Sequence, residues 1–222
     1  MARALLTPRL RRIASQLAAA FGRPRRRRVD PLDALVETIL SQNTSDLNSG
    51  RAFASLKAAY PTWRQAARAR VSSLERVIRC GGLARTKSRR IRLALAAVKA
   101  RTGDYDLRPL RRLAPPEAEA WLRGLPGVGP KTSACVLLFA CGHPAFPVDT
   151  HVFRVARRVG LISPRDSAER AHEVLAPAVP AGRHLDLHLN LIRLGRERCR
   201  PQAPRCPECP IRNECDHGRR AA

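Results

Sequence analysis

No stretch of this chain alternates apolar and polar residues as a half-buried strand would. Its apolar residues instead recur every three or four positions, in short runs cut by proline and glycine. That rhythm belongs to amphipathic helices, and the punctuation says where each begins and ends. Thr7-Pro8 reads as a helix start, Leu10, Ile13, Leu17 and Phe21 form one apolar face, and Gly22 is a stop. Asp30-Pro31 opens a second helix that carries Leu32, Leu35, Val36, Ile39 and Leu40 inward. Ser45-Asp46 opens a third, which buries Phe53 and Leu56 and ends near Pro61. Helices are predicted around 73–80, 87–101, 116–123, 130–141, 149–159, 168–175 and 185–197, with no fixed-period repeat among them. The predicted fold class is all-α.

Four of the seven cysteines crowd into the C-terminal segment as Cys199, Cys206, Cys209 and Cys215, spaced C-x6-C-x2-C-x5-C. Four soft thiolates so close in sequence, with Pro201, Pro204, Pro207 and Pro210 stiffening the loops, call for a metal that binds them all. Zinc ribbons show two close pairs, whereas this segment has one Cys-x-x-Cys flanked by wider gaps, so chemistry alone leaves zinc and iron–sulfur both open. Cys80, Cys135 and Cys141 sit among apolar residues and read as small core residues.

Residues 125–135, LPGVGPKTSAC, describe a turn through Gly127 and Gly129 with Pro130 starting a helix. Glycines tolerate positive φ and close approach, so the amides of such a turn and helix start form a sequence-independent phosphate site. Lys131 follows at once, and lysine is rare here: it occurs only at 57, 87, 99 and 131, within 42 lysines and arginines. An ordinary lysine has a pKa of about 10.4, and the positive end of a helix disfavours its ammonium. A neutral amine can attack a carbon and form a Schiff base; a guanidinium cannot. The plainer reading is a surface lysine touching phosphate. Downstream, PVDTHVFRVARRVGL (147–161) places Asp149 before an apolar-periodic helix. It is an N-cap, a carboxylate that faces Lys131 and stabilises developing positive charge, or both.

The formal charge is +24 at pH 7 with a pI near 11.6. Such an excess repels itself and calls for a polyanion, nucleic acid first, with a GC-rich genome as the alternative source of arginines. The run GRPRRRRVD (22–30) reads as a charged linker, and Arg200 and Arg205 put positive charge in the first loop of the cysteine segment, where a metal would hold it against a phosphate backbone. No run approaches the roughly 20 apolar residues of a bilayer span, and arginines interrupt the N-terminal apolar stretch, so the reading is a cytoplasmic protein.

Together LPGVGPKT, VDTH and the cysteine spacing resemble the endonuclease III family of DNA repair glycosylases, within the helix–hairpin–helix glycosylase superfamily, over nearly the whole chain. The resemblance implies two domains: a six-helix barrel with the helix–hairpin–helix at 31–143, and a cluster domain joining the N-terminal helix, 1–22, to 144–222. It implies that Lys131 is the catalytic lysine, Asp149 the catalytic aspartate, and the four cysteines the ligands of a 4Fe–4S cluster, which decides for iron. By position, Asn43 or its neighbour Gln42, together with Leu83, would fill the hole left by a flipped nucleotide; their bland readings are a helix-cap region and a core leucine. The implied enzyme is a bacterial, nucleoid-associated monomer, a bifunctional glycosylase and AP lyase. It would act on double-stranded DNA carrying an oxidised pyrimidine or an abasic site. LSQNTSD, Pro130 before the lysine and Arg123 depart from the commonest wording of the family. The competing readings are an adenine-type mismatch glycosylase and a non-catalytic DNA-binding module with a structural cluster.

Overall fold

A computed structural model describes residues 2–220, with backbone alone for residues 2–5. Its helices are α1 (Ala2–Phe21), α2 (Pro31–Ser41), α3 (Asp46–Ala59), α4 (Trp63–Arg68), α5 (Val71–Val77), α6 (Ala84–Thr102), α7 (Pro115–Arg123), α8 (Pro130–Val136), α9 (Thr150–Val159), α10 (Ala168–Leu175), α11 (His184–Glu197) and α12 (Asp216–Arg220). There is no strand among the described residues. The chain divides into two compact units, residues 28–143 and residues 1–27 with 144–222.

The 28–143 unit is organised around α2. Asp30 caps it by accepting from the amides of Leu32 and Asp33, Pro31 supplies a preset φ at the first turn, and seven of its residues are buried. A helix that is apolar on nearly every side belongs in the middle, and α2 packs on α3, α6 and α8. Phe53 is only half-buried, tilted against Trp63 of α4, whose indole N–H donates to Asp33 at 2.8 Å. Beyond Val136, α8 widens into a π-helical turn, Leu137–Cys141, closed by Gly142 at φ +86°. Of the three cysteines read as core, only Cys135 is buried. Cys80 is exposed, and Cys141 is half-buried with burial pushing its thiol up to about 11. Apolar neighbours in sequence point to a core only when the helix phase agrees, and at Cys80 the chain is in a short 3₁₀ turn.

In the other unit α1 begins at Ala2, not at Thr7-Pro8, and Pro8 lies inside it. Its missing N–H interrupts one bond of the ladder only. Leu10, Ile13, Ala14 and Leu17 are buried against a core shared with α9, α10 and α11, and Gly22 ends the helix at φ +84°. The arginines on the other faces bind the chain's far end. Arg9 donates to Val159 O at 2.7 Å and to Asp216 at 2.8 Å, and Arg12 grips both carboxylate oxygens of Glu214. The buried polar residues of α11 serve as fasteners in the same unit: Asn190 donates to Gly22 O at 3.0 Å, and Asp186 accepts from Arg183, which also donates to Ala14 O.

Candidate DNA-processing site

The hairpin is built between α7 and α8. Arg101 closes the end of α7, donating to Trp121 O at 3.0 Å and Gly124 O at 2.7 Å. Leu125 and Val128 are buried and anchor the turn, leaving Pro126, Gly127 and Gly129 exposed between them. Gly127 has φ +75°, a conformation other residues adopt at a cost. Gly129 does not: it is extended, at φ −95°, and serves as the N-cap of α8. An added Cβ at 129 would meet nothing within 4 Å, so no neighbour among the described residues requires glycine there. The amides of Gly127 and Gly129 make no backbone hydrogen bond among the described residues, and the first-turn amides of α8 lack intrahelical acceptors.

Lys131 stands in that first turn, half-exposed, with no hydrogen-bond or ion-pair partner among the described residues. The other three lysines are all engaged. Lys57 lies 3.3 Å from Asp33 and over the Trp63 ring, Lys99 donates to Gly103 O, and Lys87 is buried between two carbonyls.

Two loops of the same unit carry the remaining candidates. Gln42 is the C-cap of α2 and its side-chain oxygen accepts from Arg90 at 2.6 Å. Asn43 is exposed and left-handed, at φ +52°. Leu83 is no core leucine: it is 58 % exposed and left-handed, at φ +48°, immediately before α6. An exposed, branched apolar side chain on a strained backbone is costly twice over, and such positions gather at functional sites.

In the other unit Asp149 caps α9, its Oδ1 accepting the Val152 amide at 2.7 Å while Oδ2 has no partner among the described residues. The extended segment before it is tied down on both sides. His188, buried on α11, donates from Nδ1 to Pro147 O at 3.0 Å, and the Val148 amide donates to Nε2 of His172 on α10 at 3.3 Å. These two histidines hold the aspartate's backbone, a task with no signature in sequence spacing.

The four clustered cysteines also lie in this unit and line one small pocket together with Arg198, Arg205 and Arg212. Cys215 is buried and the other three half-buried, and burial pushes the Cys209 thiol up to about 11. Two of the sulfurs receive N–H groups, Cys199 from Arg158 at 3.4 Å and Cys215 from the Gly218 amide at 3.3 Å, and the Cys215 thiol donates to Arg158 O at 3.4 Å. No group of three or more His, Cys, Asp or Glu among the described residues is arranged to hold a single ion. Four cysteines lining one pocket are a soft donor set for a metal or a metal–sulfur group. Arg200 and Arg205 are exposed on the first loop.

Residues 36–180 match the model of the HhH-GPD superfamily of base excision DNA repair proteins. Endonuclease III of Thermotoga maritima is 32 % identical over 209 residues, 94 % of this chain and 92 % of that protein. The chain belongs to the endonuclease III family of DNA glycosylases. It is an enzyme of base excision repair. Endonuclease III of Escherichia coli is 32 % identical over 188 residues, 84 % of either chain. A putative DNA glycosylase of Arabidopsis thaliana is 41 % identical over 165 residues, 74 % of this chain, which spans only 56 % of that protein. Among solved structures, a trapped covalent intermediate of endonuclease III with DNA has a TM-score of 0.83 at 28 % identity, covering 97 % of this chain and 98 % of that one. Among the described residues no helix is long and apolar enough to cross a membrane.

Proposed function

We propose that this glycosylase is bifunctional: it removes oxidised pyrimidines from double-stranded DNA and then cuts the abasic strand. The observation that carries the reading is Lys131, the one lysine of four without a partner among the described residues, at the mouth of a glycine hairpin. The amides around Gly127 and Gly129 hold a phosphate, while Asn43 and Leu83 enter the stack as the damaged nucleotide leaves it, since its sugar carbon is unreachable inside a duplex. Gln42 is committed to Arg90, which leaves Asn43 as the wedge of that loop. Nζ of Lys131, once it has given up a proton, attacks C1′ of the deoxyribose and the bond from C1′ to the base breaks, the base taking its electrons and a proton. The sugar ring opens to a Schiff base on Nζ. Loss of a C2′ proton then expels the 3′-phosphate, and water releases the lysine. Asp149, with Oδ2 free of protein partners among the described residues, stabilises the positive charge on the sugar as the base departs and accepts protons.

The four cysteines fit a 4Fe–4S cluster, which when bound holds the 199–215 segment in one shape. Arg200 and Arg205 on its surface then bear on the DNA backbone. The protein acts as a monomer, at the nucleoid of a bacterial cytoplasm.

A duplex with one oxidised pyrimidine tests the reading. Strand scission before any alkali treatment is the expected result. Breaks that appear only after hot alkali would mean a monofunctional glycosylase, and intact DNA bound tightly would mean a binding module.

A further inference from the structure

Lys87 is buried to 1 % exposure, and its Nζ donates to Leu40 O at 2.6 Å and to Gly81 O at 2.7 Å. No carboxylate pairs with it among the described residues, and burial alone lowers its pKa. Taking an ammonium out of water to serve two neutral carbonyls is unfavourable unless those carbonyls must be held. Their positions say why they must be. Leu40 lies three residues before left-handed Asn43, and Gly81 two residues before left-handed Leu83. Both carbonyls end a helical element, α2 in one case and the 3₁₀ turn Arg79–Gly81 in the other, and so lack a helical donor of their own.

The two loops also lie close to one another and to the start of α3. A Cβ on Gly81 would come within 2.9 Å of the Ala52 Cβ on α3, and one on Gly82 within 3.9 Å of Thr44 Oγ1. One turn along the same face of α6, Arg90 donates to Gln42, and its stem runs 3.7 Å from where a Cβ on Gly127 would sit. A single helix thus reaches both wedge loops and the hairpin.

We propose that Lys87 is a positioning residue that clamps the Asn43 and Leu83 loops as one rigid piece, so that the two wedges enter the stack at a fixed separation. This rests on the wedge reading given above. The ammonium suits the task because it is a compact point donor for two acceptors, whereas a planar guanidinium would not fit a site closed on all sides.

The test is a duplex carrying 2-aminopurine opposite a tetrahydrofuran abasic analogue, so that wedge entry is read as a fluorescence rise without any chemistry at Lys131. Native protein, Lys87→Met, Asn43→Ala with Leu83→Ala, and the triple variant are compared at saturating protein, with folding checked by circular dichroism. The clamp predicts that Lys87→Met binds the duplex within about threefold of native affinity yet loses most of the rise. It also predicts that the triple variant is no worse than the wedge variant, because residues acting as a unit are non-additive. A full rise from folded Lys87→Met, with the wedge variant impaired, would overturn the clamp alone. A full rise from the wedge variant would overturn the wedge reading and the clamp with it. If Lys87→Met does not fold, Lys87→Gln, whose shorter side chain cannot bridge both carbonyls, is read against the same outcomes.

Discussion

On the proposed mechanism Asp149 carries two tasks that a substitution can separate. As a cap it needs only a side-chain oxygen near the Val152 amide, 2.7 Å away, which asparagine supplies as well as aspartate. As the stabiliser of a cationic sugar it needs a charge. Asp149→Asn is therefore expected to melt close to the native protein while single-turnover base release falls by about 10² to 10³. Asp149→Ala should show the same loss of activity plus about 1 kcal/mol of lost stability, read from urea unfolding. Equal activity in native protein and Asp149→Asn would reduce the residue to a cap. Single residues were only partly legible in the sequence. Scarcity of lysine drew attention to Lys131, and the same signal was present at Lys87, whose neighbours reveal nothing because its two partners are backbone carbonyls outside its own helix. Leu83 was legible as a position by resemblance, while its exposure and positive φ are facts of three dimensions.

At the scale of elements, caps and apolar periods carried most of the information. Asp30-Pro31, Ser45, Asp149 and Gly22 each mark a helix boundary, because a cap is a local hydrogen bond between neighbours in sequence. Short elements escaped for the converse reason. The six-residue α4 and five-residue α12 are too brief for a period to show, and α4 exists through the Thr62–Gln65 capping box and the burial of Trp63. Helix α1 shows what binds elements to one another: its apolar face is buried with α9 and α11, and its arginines hold the segment around Glu214 and Asp216. Leu17 is completely buried, so Leu17→Ala is expected to cost about 2 to 5 kcal/mol in chemical denaturation. A loss below about 1 kcal/mol would mean that α1 adds little to the packing of its unit.

For the whole molecule, the charge of +24 and, on the proposed reading, the four-cysteine segment set the terms on which it meets DNA. Exposed Arg200 and Arg205 should neutralise phosphates, so replacing both with alanine is expected to weaken binding alike on damaged and undamaged duplex. The slope of log affinity against log salt should then fall by about 0.9 for each phosphate no longer neutralised. An unchanged slope would remove these arginines from the interface. The central claim concerns chemistry rather than charge, and one measurement addresses it directly: borohydride reduction of the protein on duplex DNA with a single abasic site, beside Lys131→Gln. The account predicts a covalent protein–DNA adduct from the native chain, mapped by mass spectrometry to Lys131, and none from the variant, which still binds the duplex. An adduct undiminished in Lys131→Gln, or none from native protein that binds the site tightly, would contradict it.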